Sequence, residues 1–176
     1  MIEEIKKYDN NFDEAIFLSK VDHIFIMLLD SITDRNIDTV KHYLSDDIYT
    51  KYNNMVNSYK TDKKIRLFDE MNVKSTSITN YNIEGDLINI EVLLTSRYMD
   101  YFVNENGEYI SGTNDHRIET DHHIILTKKI NSLNLGTARR CNHCGKTLDI
   151  NHSGVCPYCN QVIDITNYEY IVTKLN

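Results

Sequence analysis

Cys141, Cys144, Cys156 and Cys159 are the four cysteines of the chain, and they form two C-x-x-C pairs. The eleven residues Gly145 to Val155 lie between the pairs. Two sulfurs on one tight turn face one side of an ion, and two on a second turn close the other side. Four thiolates at tetrahedral corners are a preferred zinc environment. Gly145, after the second cysteine, suits a backbone with positive φ, and Asn160, after the fourth, is the next most tolerant residue there. Pro157 stiffens the second turn. The pattern predicts a zinc ribbon, two metal-bearing turns each leading into a short β-hairpin, with the chain reversing at Asn151-His152-Ser153-Gly154. His143 lies inside the first turn and is expected to point to solvent between coordinating thiolates.

Such a site uses all four positions of the ion, which makes it structural rather than catalytic. Metal binding then supplies folding free energy, on the order of 10–16 kcal/mol in comparable small zinc units. Two disulfides are the first competing reading, and a charged N-terminal segment, Met1 to Lys7, points instead to the cytoplasm and reduced thiols. A redox C-x-x-C uses one pair, not two. Iron in a four-thiolate site stays open, because sulfur donors alone do not separate it from zinc.

The elements that must carry this unit follow from hydrophobic period. Residues 13–33 read as a helix with Phe17, Val21, Ile24, Phe25, Leu28, Leu29 and Ile32 on one stripe. A second short helix has Ile37, Val40, Tyr43 and Leu44 on its apolar side. A third runs from about 47 to 59, and Ile65, Phe68 and Met71 continue its face beyond Thr61-Asp62. The period then falls to two. Strands are expected over 73–83, 87–103, 108–111 and 117–129, with turns at Glu84-Gly85-Asp86 and Asn104 to Gly107 and a loop at Gly112 to Asp115. Tyr168 to Val172 reads as a closing strand of the ribbon or a strand packed back on the body. No repeat is evident. The pattern is α+β: three helices packed on a curved antiparallel sheet, a cone, followed by the four-Cys ribbon. The expected division is 13–130 for the cone, 131–138 for a linker and 139–176 for the ribbon.

Composition bounds the partners. Of the 176 residues 41% are hydrophobic, as in an ordinary globular domain. The net charge is −7, and residues 137–176 hold +1, which leaves −8 on the first 136. An acidic body argues against binding nucleic acid or anionic lipid by charge alone. Arg139, Arg140, Lys146 and Tyr158 make only a thin basic, aromatic spot on the ribbon.

Several stretches carry a resemblance. Asp86 to Val92, Ser96 to Tyr101, Asn106-Gly107 and Gly112, after the helices, resemble the nuclear-transport-factor-like cone, in the branch related to the C-terminal domain of the mitochondrial import tether. Cys141 to Gly145, Leu148-Asp149-Ile150, Ser153-Gly154, Cys156 to Cys159 and Tyr168 to Val172 resemble the zinc-ribbon tail of that branch's bacterial members. Asn160 stands where that tail has glycine, and Tyr170 where the closing strand commonly has tryptophan. The resemblance implies protein or membrane-surface docking and carries over no catalytic residue.

Three functions compete. The first is a non-enzymatic binding or scaffold module with a structural Zn2+, its partner a protein or a membrane surface. The second is an isomerase- or cyclase-like enzyme in the cone, with Asp100 as base, Tyr98 as proton donor and His122 as their partner. The third is nucleic-acid binding through the ribbon.

Overall fold

The computed structural model describes residues 1–130, 139–141, 143–148, 154–163 and 169–176. Helix α1 is Ile2–Ile5, α2 is Glu14–Thr33 and α3 is Asp46–Thr61. Long strands β1 (Lys64–Glu84), β2 (Leu87–Asn104) and β3 (Tyr109–Lys129) follow. Short strands β4 (Arg139–Arg140), β5 (Thr147–Leu148), β6 (Gly154–Val155) and β7 (Val162–Ile163) come next, and β8 (Ile171–Leu175) ends the chain.

Helix α2 starts where the Asp13 carboxylate accepts the Ile16 N–H at 2.9 Å, satisfying one of the orphan donors of the first turn. Its buried face is the expected stripe, Phe17 through Ile32. Ser45 caps α3 in the same manner, with Asp46 and Asp47 favourably placed in the first turn. The short second helix is two 3-10 turns, Ile37–Thr39 and Lys41–Tyr43, which still bury Ile37, Val40 and Leu44. Ile65, Phe68 and Met71 do not extend α3: they lie in β1, which begins at Lys64. A residue inserted at Glu70, whose φ is +50°, shifts the inward parity of that strand. Phe68 and Met71 therefore share a face at a spacing of three, which imitates a helix.

The sheet order is β1-β2-β3-β8, antiparallel throughout. Ile88, Ile90, Val92 and Leu94 line its inner face at no more than 1% exposure, against Ile124 and Leu126 of β3 and the stripe of α2. Extra residues in both neighbours of β2 fall at one level. Asp69 pairs with Met99 but Asn72 with Arg97, while Tyr98 pairs with Ile118 but Asp100 with Thr113. The expected loop at 112–115 is thus part of a bulge within one strand, and such bulges bend a sheet. Gly112 is required there: its φ is +108°, and a Cβ would come within 2.4 Å of the Asp100 carbonyl oxygen.

The last strand joins the cone. Thr127 pairs with Ile171 and Leu126 with Val172. The Ser45 N–H donates to the Val172 carbonyl at 2.9 Å, and Lys51 Nζ to that of Leu175 at 3.0 Å. Residues 171–175, grouped by sequence with the ribbon, so complete the cone sheet. The N-terminal segment belongs to the same core, with Ile5 and Phe12 buried. Phe12 and Phe17 pack edge-on against Tyr170. Beside that ring, Lys128 Nζ meets Asp9 Oδ2 at 2.8 Å, with both side chains under a tenth exposed. The expected linker at 131–138 and the reversal at 151–153 lie outside the described residues.

Candidate metal centre

Residues 139–148 and 154–163 each make one small unit: a two-residue strand, a turn bearing two cysteines, and a two-residue strand paired back antiparallel. Arg139 pairs with Leu148 and Arg140 with Thr147; Gly154 pairs with Ile163 and Val155 with Val162. The turns are wired alike. The Cys141 N–H donates to the Lys146 carbonyl at 2.9 Å, and the Gly145 N–H to the Cys141 carbonyl at 2.9 Å. The Cys156 N–H donates to Gln161 at 2.8 Å, and the Asn160 N–H to Cys156 at 2.9 Å. Gly145 has φ +72° and Asn160 +58°. The strand pairing, both backbone hydrogen bonds of the turn and the positive φ recur fifteen residues later. The repeat is structural. Gly145 and Asn160 share the positive φ that the sequence assigns to both positions.

The two turns bring all four sulfurs together. Their Sγ atoms lie within 4.8 Å of one another. Cys141 Sγ is 3.6 Å from Cys159 Sγ, and Cys144 Sγ is 3.8 Å from Cys156 Sγ. A tetrahedron of sulfurs at a Zn–S distance of about 2.3 Å has edges of about 3.8 Å. A disulfide would need about 2.05 Å, so these are four free thiols with the spacing of a four-coordinate metal site. His143 is exposed, outside the sulfur cluster; its backbone N–H donates to Cys141 Sγ at 3.4 Å.

Backbone N–H groups of Cys144 and His143 pull the Cys141 thiol down to about 6. Cys159 moves the other way, to about 12: the Gln161 N–H opposes the rise, and burial with the three neighbouring sulfurs outweighs it. Four thiolates cannot share so small a space without a cation to offset their repulsion. The donor set fits zinc, and the four cysteines would hold it while it cross-links the two turns.

A family model for the Tim44-like domain matches residues 1–136. The chain belongs to the Tim44-like domain family. No curated protein matches the chain. The matched stretch stops before the first cysteine, so the metal centre lies beyond it while β8, also beyond it, completes the Tim44-like sheet.

The three candidate catalytic residues lie on β2 and β3 of that cone, Tyr98 buried and Asp100 and His122 half-buried. Tyr98 and His122 are brought together, their rings stacked with centroids 6.4 Å apart, and burial lowers the His122 pKa. The His122 ring also packs on Phe25, and its Nε2 is 2.9 Å from Ser96 Oγ. Burial pushes the Tyr98 phenol up. Asp100 is near enough for its charge to act on the Tyr98 phenol, but it is engaged in an ion pair. Arg66 grips it with two N–H groups, Nε at 2.8 Å and Nη2 at 2.7 Å, and the guanidinium lies over Phe68. Both carboxylate oxygens of Asp100 are thereby occupied by the guanidinium. Arg66 is not among the residues that the sequence singles out. Its inward place in β1 becomes legible once that strand is extended back to Lys64.

Proposed function

We propose that this Tim44-like protein is a non-enzymatic docking module for a partner protein, carrying a structural zinc ion in the Cys141, Cys144, Cys156 and Cys159 site. The observation that carries the reading is the enclosure of the metal position by four sulfurs. Four protein ligands leave a zinc ion no position for water or substrate. The ion then acts as the core that units of this size lack. The engagement of Asp100 by Arg66 supports docking over cone chemistry. A charge of −8 on the first 136 residues favours a partner with a basic face over an anionic membrane surface or nucleic acid. Free thiols suit the cytoplasm. In this reading the cone carries the docking face, 131–138 links it to the ribbon, and the ribbon spans the four-cysteine units.

Elemental analysis of the purified protein is expected to return one zinc per chain. Immobilised protein incubated with native lysate should retain a defined partner that is absent from a charge-matched control, with anionic vesicles left in the supernatant. Retention of vesicles and of no protein would move the function to a membrane surface. A metal-free chain with protected ribbon amides would remove the zinc.

A further inference from the structure

The four cysteines differ in exposure. Cys141 and Cys156 are buried, Cys159 is half-buried and Cys144 is exposed. Two sulfur pairs that run between the turns are short, Cys141–Cys159 at 3.6 Å and Cys144–Cys156 at 3.8 Å. Each joins the buried first cysteine of one turn to the more open second cysteine of the other. To reach a disulfide bond length each pair must close by less than about 2 Å. An exposed thiolate is also where an oxidant arrives first.

We infer that Cys144 is an oxidation site at which a hydroperoxide discharges the metal centre, with Cys156 as the resolving thiol. The inference rests on the zinc site proposed above. The Cys144 sulfur attacks the outer oxygen of the hydroperoxide; an S–O bond forms, the O–O bond breaks, and the alkoxide leaves and takes a proton. The sulfur, oxidised by two electrons, is now a sulfenic acid. The Cys156 thiolate, 3.8 Å away, attacks it; an S–S bond forms, the S–O bond breaks, and hydroxide leaves to become water. One hydroperoxide is reduced to an alcohol and water for each disulfide made. The metal, stripped of two donors, dissociates, and a second equivalent closes Cys141 on Cys159.

The test uses the full zinc-loaded chain, its metal content measured first. A chain that purifies without metal refutes the zinc site and this inference with it. With zinc present, one equivalent of cumene hydroperoxide is expected to release zinc to a chromogenic chelator. Peptide mapping should then show the Cys144–Cys156 disulfide before Cys141–Cys159, and a thiol reductant plus zinc should restore the starting state. Cys144→His keeps a zinc ligand at that corner, and its release should slow at least tenfold. If that variant does not load with zinc, the order of disulfides in the unmodified chain decides. Zinc retained under tenfold peroxide, or disulfides formed first within the turns, would overturn the inference and leave the zinc site standing.

Discussion

The cone and the ribbon solve one problem with different means. In the cone, α2, α3 and the sheet bury a continuous cluster from Ile5 to Leu175. In the ribbon, among the described residues, the buried cluster is Cys141, Leu148 and Cys156. At roughly 1.5–3 kcal/mol per buried large aliphatic side chain, the cone holds itself together by removing area from water. Among the described residues the ribbon buries one such side chain, Leu148, beside two cysteines of the candidate metal site. In the proposed reading, ligand bonds to an ion replace the missing apolar area, and the two regions should respond to different insults.

The largest effect tests that separation. Chelation, or Cys156→Ser, should abolish ribbon folding, a change on the order of 10 kcal/mol. Hydrogen exchange should rise at 143–163 and stay unchanged at 88–94. Loss of protection in both stretches would mean the regions fold as one. Next is the buried pair of Asp9 and Lys128. Asp9→Ala removes the carboxylate that meets the buried Lys128 ammonium beside the Tyr170 ring and should cost the cone about 3–5 kcal/mol by denaturant melting, with zinc content unchanged. Gly112→Ala should cost about 2–4 kcal/mol, from positive φ and the clash with the Asp100 carbonyl, and should also leave zinc in place. Ser45→Ala removes the α3 cap, a loss of about 1 kcal/mol. The smallest effect comes from His122. Its pKa is lower folded than unfolded, so the unfolded chain binds the proton first. Stability should be full above pH ~6.5 and decline as pH falls below it, and His122→Asn should flatten that decline in pH-dependent melts.

The sequence disclosed the cysteine cluster and the helix–sheet order because both rest on short-range spacing. The α2 stripe, the Asn104 to Gly107 turn and the two C-x-x-C pairs are each complete within a few turns of chain. What it concealed depended on displaced parity or on partners far apart. The residue inserted at Glu70 turned a strand into an apparent helix. The bulge around Gly112 looked like a loop between two strands. Asp9 and Lys128 lie 119 positions apart. Parity alone put Lys128 on the inward face with Ile124 and Leu126, which was the one signal that it needed a counter-charge. For Tyr168 to Val172 the alternatives were both open, because buried residues at Tyr170, Ile171 and Val172 follow no simple alternation.

The pairing of β3 with β8 has a consequence for how the chain is assembled. These are adjacent antiparallel neighbours, Thr127 beside Ile171, and a connection of two to five residues commonly joins such a pair. Everything between Ile130 and Glu169 is therefore an excursion from a hairpin. Closing a loop about tenfold longer than a tight turn costs about 2 kcal/mol in chain entropy. Excising the excursion and splicing in a short turn should leave a four-stranded meander that is sturdier than its parent, with the cysteine cassette free to be moved elsewhere.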